Sequence, residues 1–398
     1  MENDLIYLDN NATTRIAPEV LRAMQPYLSE FYGNPSSAHS LGRQMNSAVE
    51  RAREQVARLL GAAESGEIVF TSCGSESDNW AIRGVLEQQS EKKHIITTRV
   101  EHEAVRNLCA SLEQNGYEVT WLEVDSKGEL DLEDLRRALR LETALVSVMM
   151  ANNETGVLFP IEQIGPVVRA ESAALFHVDG VQAVGKIPIS LRDMEVDLFA
   201  VSGHKLHAPQ GVGALYVRSG VRLAPFIVGG SQETGRRGGT SAVPNIVALG
   251  AACELAGMPE PHETIRGLRD RLEDEILKTI PNARLNGTAD RKKRLPNTSN
   301  ISFEYVEGEN ILMHLDEAGI CVSTGSACHS TTHESSPTLS AMNVPYTAAQ
   351  GSIRFSLGRY NTSEDIDYTL RILPGIIEKL VEMSPYDKEL RALYAGRA

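Results

Sequence analysis

Residues 174–182 read Ala174-Leu175-Phe176-His177-Val178-Asp179-Gly180-Val181-Gln182, and residues 198–205 read Leu198-Phe199-Ala200-Val201-Ser202-Gly203-His204-Lys205. Each is a short apolar, β-branched run that ends in polar groups able to do chemistry, which is how a buried strand delivering side chains to a site reads in sequence. Outward from this pair, short apolar runs alternate with amphipathic stretches from about residue 65 to 218. Strands are expected at Glu67–Thr71, His94–Thr98, Val119–Val124, Ala144–Ala151, Ala174–Asp179, Leu198–Ser202 and Gly213–Val217. Strands separated by helical stretches predict an α/β fold with a mostly parallel, seven-stranded sheet. Ligands of such sheets collect beyond the carboxyl ends of the strands, where Asp179 and Lys205 stand.

The chain of 398 residues exceeds the size at which one hydrophobic core usually stops growing, so a second lobe is expected. The glycine- and arginine-rich stretch Gly229–Thr240 reads as a flexible basic loop, and a helical stretch follows from Val243. Beyond it, a charged helix around Glu263–Ile280, a strand at Ser299–Phe303 and a terminal helix around Ser363–Met383 read as a smaller α+β lobe. We expect a large domain over residues 15–257, and a small domain built from residues 1–14 and 258–398.

Composition narrows the functional classes. Hydrophobic residues at 42% and charged residues at 23% are those of a globular protein, and no apolar run is long enough to span a membrane. The first residues have neither a basic leader nor an apolar signal core, so a cytoplasmic protein is expected. A net charge of −14 argues against a nucleic-acid partner, whose phosphates demand clustered Lys and Arg. The basic run Arg291-Lys292-Lys293-Arg294 reads as a solvated loop. Five cysteines, at 73, 109, 253, 321 and 328, show no spacing typical of zinc or of a disulfide framework.

Three segments carry chemistry. The expected strand at Ile68-Val69-Phe70 runs into Thr71-Ser72-Cys73-Gly74-Ser75-Glu76-Ser77 and a helix, so backbone N–H groups at a helix N-terminus form a phosphate site or, more plainly, an ordinary capped turn. Asp179 is placed to face a heterocyclic nitrogen and keep it protonated, with Gln182 three residues on, although an aspartate capping a turn reads the same way. Lys205, twenty-six residues after Asp179, is suited to a Schiff base, with Ser202 and His204 beside it for a phosphate; a surface lysine is the plain alternative.

In order and spacing these segments resemble fold-type I pyridoxal-phosphate transferases. Tyr7-Leu8-Asp9-Asn10-Asn11-Ala12-Thr13-Thr14, Gly33-Asn34-Pro35-Ser36-Ser37, Glu101-His102, Asn152-Asn153-Glu154-Thr155-Gly156, Ser202-Gly203-His204-Lys205 and Gly325-Ser326-Ala327-Cys328 resemble the cysteine desulfurases of the NifS/IscS group, a branch of the class-V aminotransferases. The likeness runs from about residue 5 to 385. It implies pyridoxal 5'-phosphate on Lys205, with Asp179 at the ring nitrogen and Gln182 and Asn153 near the ring's phenolic oxygen. It further implies a phosphate cup of Gly74, Ser75, Ser202 and His204, with Thr240 reaching in from the second subunit of a homodimer. His102 is expected over the ring as a proton carrier, and Arg354, with Asn153, at the carboxylate of the L-cysteine substrate.

Cys328 is the expected sulfur acceptor. The stretch 323–337 around it is small and polar, which predicts a mobile loop, whereas Cys109 and Cys253 read as core residues and Cys321 as a core or strand residue. A thiolate attacks sulfur readily, so the expected products are L-alanine and a persulfide on Cys328, passed to an iron–sulfur scaffold protein. Cys328 is also a candidate transient iron–sulfur ligand, and no other metal site is expected. His329 stands where relatives carry Thr, and Cys328-His329-Ser330 is similar to selenocysteine lyases, so sulfur against selenium stays open. An aminotransferase or β-lyase on the same fold needs no such cysteine. A non-catalytic adaptor needs neither Lys205 nor Asp179, His102 and Arg354.

Overall fold

The computed structural model describes residues 5–258, 260–324 and 336–384; Cys328, His329 and His333 lie outside them. After a two-residue strand β1 (Ile6–Tyr7), the chain enters seven strands separated by helices or loops: β2 (Ile68–Thr71), β3 (His94–Thr98), β4 (Glu118–Leu122), β5 (Thr143–Ser147), β6 (Leu175–Asp179), β7 (Leu198–Ser202) and β8 (Gly213–Val217). They form a single sheet in the order β2-β8-β7-β6-β5-β3-β4. Its pairings are parallel from β7 through β4, and only β8 runs against its neighbours β7 and β2. This is the mostly parallel seven-stranded sheet that the sequence predicts.

Both faces of the sheet are covered, which is why β2, β3, β5, β7 and β8 are buried along their whole length. Trp80, Ile82 and Val85 of the helix Gly74–Gln88 pack on Val69, Leu145 and Leu215 from one side. The helices Ser40–Leu60 and Val243–Ala256 cover the other, and the second of these is apolar on nearly every side, Asn245 and the exposed Glu254 excepted, because most of its length is packed against protein. Where a strand was expected to continue to Ala151, β5 ends at Ser147. Val148 and Met150 still donate to the carbonyls of His177 and Asp179, and Ala151 bridges to Leu158 across the turn that carries Asn152 and Asn153.

A second core gathers Ile6 and Leu8 with Leu272 and Ile276 of the helix Glu260–Thr279, Leu373 and Ile377 of the helix Ser363–Met383, and strand residues Ile301 and Phe355. Its strands are β9 (Ala283–Leu285), β10 (Thr298–Phe303), β11 (Ile320–Cys321), β12 (Ser323–Thr324) and β13 (Ser352–Ser356). β12, β13, β10 and β9 form an antiparallel sheet, while β1 pairs in parallel with β11 and so binds the N-terminus to the C-terminal part of the chain.

Two basic segments differ from expectation. Arg294 is no solvated residue: its guanidinium is buried and bonds both oxygens of Glu273 at 2.7 Å, with Ser299 also donating to Glu273. Burial of a charge requires such a partner, and the helix Glu260–Thr279 supplies it. The loop 229–240 is likewise anchored. Glu233 takes two bonds from Arg53, Arg236 donates to the Gly66 carbonyl, and Arg237 forks onto Glu76.

Candidate active site

The carboxyl ends of β6 and β7 open on a cavity of about 430 Å³ between the two cores. At its floor, β2 turns through Ser72 and Cys73 into the fifteen-residue helix Gly74–Gln88, whose N-cap is Cys73: the sulfur accepts from the Glu76 N–H at 3.4 Å. A Cβ on Gly74 would stand 2.8 Å from Val181 Cγ2 and 3.4 Å from Ser202 Cβ, so glycine lets this backbone lie against the ends of β6 and β7. Gly74, Ser75, Ser202 and His204 all line the cavity there. Glu76 points away from it. Burial by itself would raise this carboxyl, but bonds from Arg237 and from Ser72 overcome burial and hold it below its ordinary value.

Asp179 ends β6, 6% exposed, and its Oδ1 accepts from the Val181 N–H at 2.9 Å. Burial raises its pKa against the pull of His102, the Val181 N–H and Lys205. Beneath it lie three more buried groups. His177 Nδ1 meets Ser147 Oγ at 2.9 Å, and its Nε2 stands 3.5 Å from Asp78 Oδ1. Glu101 accepts from Thr98 Oγ1 at 2.8 Å and from the Met149 N–H at 3.0 Å. Burial pushes His177 down to about 3, Glu101 up to about 8 and Asp78 strongly upward. Asp78 and Glu101 have no cation acting on them among the described residues, and Asp179 has only His102 and Lys205 from across the cavity, so a protonated ring nitrogen against Asp179 would add the positive charge this cluster is short of. Asp78 Oδ1, Glu101 Oε2 and Arg354 Nε are all buried without a hydrogen-bond partner among the described residues.

Lys205 closes the short 3-10 turn Gly203–Lys205 after β7 and donates to the carbonyls of Asn11 and Ala12, 2.6 Å each. The segment 9–14 thus lies across the reactive end of the sheet. His204 Nδ1 meets Thr13 Oγ1 at 3.1 Å, and burial together with Lys205 lowers its pKa to about 4. Gln182 Nε2 donates to the Asn11 carbonyl at 3.0 Å. His102 caps the helix Glu103–Gln114 with Nδ1 accepting from the Ala104 N–H, which leaves Nε2 as its proton-bearing atom in the neutral ring. Arg354, from β13, donates to Asp9 at 2.7 Å and to the Asn153 carbonyl at 3.0 Å.

Of the residues expected at the site, the structure brings Gly74, Ser75, His102, Asn153, Asp179, Gln182, Ser202, His204, Lys205 and Arg354 to this one cavity. Thr240 is exposed and lines a separate cavity of about 170 Å³ with Ser72 and Arg237. Cys328 is outside the described residues, but Ser323, Thr324 and Pro337, which bracket it in the chain, line the main cavity. Sequence reading gave no role to Asp9, Asn11, Asp78, Glu101, His177 or Lys186. Asp9, Asn11 and Glu101 stood inside quoted motifs, and an ionisable residue in a helix's first turns or an apolar strand, such as Asp78 or His177, is the signal that could have found the others.

The family description "Aminotransferase class-V" matches residues 6–369. A cysteine desulfurase 2 of Trichormus variabilis is 56% identical over 99% of this chain and 98% of its own length. The cysteine desulfurase NifS of Azotobacter vinelandii is 51% identical over 96% of this chain and 94% of its own. Among solved structures, a NifS-like protein superposes with a TM-score of 0.88 and 41% identity, covering 94% of this chain and all of that one. The chain therefore belongs to the class-V aminotransferase family, within the NifS/IscS group of cysteine desulfurases.

Proposed function

We propose that this protein is a pyridoxal-phosphate-dependent cysteine desulfurase that moves the sulfur of L-cysteine to Cys328. The observation that carries the reading is the convergence of Lys205, Asp179 and Arg354 on one cavity whose wall includes the chain on both sides of Cys328. Cys328 is four residues beyond Thr324, a reach of at most about 14 Å from the cavity wall.

The cradle fits the cofactor. Gly74 and Ser75 at the helix N-terminus, with Ser202 and His204, would hold its phosphate, Asp179 its ring nitrogen, and Gln182 with Asn153 the side of its phenolic oxygen. When bound, pyridoxal phosphate supplies an aldehyde for amines and a protonated ring that draws electrons from the substrate's α-carbon. Lys205 would hold the cofactor and would serve as the base beside the substrate's α-carbon. Arg354 and Asn153 bind the substrate carboxylate, and His102 moves protons through Nε2. The Cys328 thiolate attacks the substrate sulfur: an S–S bond forms, the C–S bond breaks, and its electron pair with a proton completes L-alanine.

The same reading extends to domains of 15–257 and of 1–14 with 258–398, to a homodimer in which Thr240 completes the partner's phosphate site, and to a cytoplasmic enzyme serving an iron–sulfur scaffold. No helix among the described residues is long and apolar enough to cross a membrane. Incubation of the purified protein with L-cysteine and a reductant should give alanine and sulfide in equal amounts, and borohydride should fix the cofactor to Lys205. Alanine without sulfide, or a label on Lys186, would overturn the assignment.

A further inference from the structure

Lys186 is a partly buried lysine that the reaction does not use. It follows Gln182 by four residues in a run of turns and lines a small cavity of about 60 Å³ behind the main one, with Lys205, Asn10 and Asn297. No carboxylate pairs with it among the described residues. Its Nζ donates to two amide oxygens, Gln182 Oε1 at 2.7 Å and Asn11 Oδ1 at 3.0 Å.

The two ends of a glutamine amide have nearly the same shape and opposite hydrogen-bonding sense, so its neighbours decide which end points where. At Gln182 they agree. The amine of Lys186 takes the oxygen, and the peptide carbonyl of Asn11, which can only accept, takes Nε2 at 3.0 Å. The second Nε2 hydrogen remains for the main cavity, which Gln182 lines. Burial, with Lys205 and Arg354 nearby, depresses the Lys186 pKa; even uncharged, the amine keeps two N–H groups for its two oxygens.

We infer that Lys186 is a positioning residue that, with the Asn11 carbonyl, fixes the sense of the Gln182 amide, so that its NH2 group and not its oxygen faces the bound cofactor. This rests on the reading that pyridoxal phosphate occupies the main cavity with its anionic phenolic oxygen toward Gln182. A reversed amide would set an oxygen against that anion, and one charge-assisted hydrogen bond is worth about a tenfold change in affinity.

The test uses the holoenzyme and four variants: Gln182→Met, Lys186→Met, Lys186→Arg and the double Lys186→Met/Gln182→Met. The readouts are the cofactor dissociation constant and the pH midpoint of the visible absorption, neither of which a merely structural role would move in step with Gln182. Lys186→Met should weaken cofactor binding about tenfold and shift the midpoint in the same direction as Gln182→Met. Lys186→Arg should restore both to within about twofold, and the double variant should be no worse than Gln182→Met. If Lys186→Met does not fold, Lys186→Gln, which can pair with Gln182 in either sense, must show the same shifts. Unchanged readouts at Lys186 alongside changed ones at Gln182, or additive effects in the double variant, overturn the inference alone. No change in Gln182→Met overturns both the inference and the placement of the cofactor at Gln182.

Discussion

Replacing Glu101 by glutamine isolates the proton that the acid cluster under the cavity retains. Burial lifts the Glu101 carboxyl from 4.5 to about 8, against the hydrogen bonds from Met149 and Thr98 and with help from Asp179. Because the folded protein holds this proton more tightly than the unfolded chain, the associated stability is fully present below about pH 4.5. It declines as pH rises and is lost once the pH passes about 8. A shift of that size corresponds to roughly 5 kcal/mol across the window. Glutamine keeps an oxygen for the Thr98 hydroxyl and the Met149 N–H but does not titrate. Urea unfolding of both proteins without added cofactor, at steps from pH 4 to 9, gives the difference in stability, which contains the Glu101 titration and its coupling to Asp78 and Asp179. That difference should move against the wild type between about pH 4.5 and 8 and be level outside it. Parallel profiles over the whole range would mean that Glu101 ionises normally and that the cluster does not hold its proton.

Arg354→Lys should raise the KM for L-cysteine by about tenfold or more, since a lysine cannot keep Asp9, the Asn153 carbonyl and a carboxylate together; binding of cysteamine, which has no carboxylate, should not change. Cys328→Ser should still alter the cofactor spectrum on addition of cysteine while persulfide and sulfide formation fall at least a hundredfold, and Cys321→Ser should keep both. Glu273→Gln should cost about 3 kcal/mol in urea unfolding, because it leaves the Arg294 guanidinium buried without a carboxylate, and a loss under 1 kcal/mol would contradict that burial.

Strand β7 and the residues after it were legible because one short run held both signals: unbroken apolar residues for a strand covered on both faces, then Ser202, His204 and Lys205 in succession. Helix Ser363–Met383 was legible for a similar reason, as Thr362 and Asp365 form a capping box at its start and its apolar positions recur on one face. Other features depend on contacts between distant parts of the chain, which no local pattern encodes. Arg294 looks like one of four exposed basic residues until Glu273 is brought against it from a helix twenty-one positions earlier. Asp78 reads as an ordinary acid in a helix's first turns until β6 places His177 3.5 Å away. The short span of β5 was missed because the apolar run Val148–Ala151 keeps bonds to β6 through Val148 and Met150 while already bending into the turn that sets Asn153, a change no local pattern marks.

The strap of residues 9–14 over Lys205 has a consequence for how the protein is made. Its residues leave the ribosome long before β13, yet Asp9 pairs with Arg354 and the Asn11 N–H bonds Ser356 Oγ, each 345 positions further along the chain. Such contacts close only after the entropy of the intervening chain has been overcome, and so form late. During synthesis the large sheet, with the strap already bonded to Lys205, can complete itself while the proposed clamp for the substrate's carboxylate does not yet exist. Nascent chains should therefore capture the aldehyde before they can discriminate among amino acids, and competence for cysteine should arrive abruptly with β13.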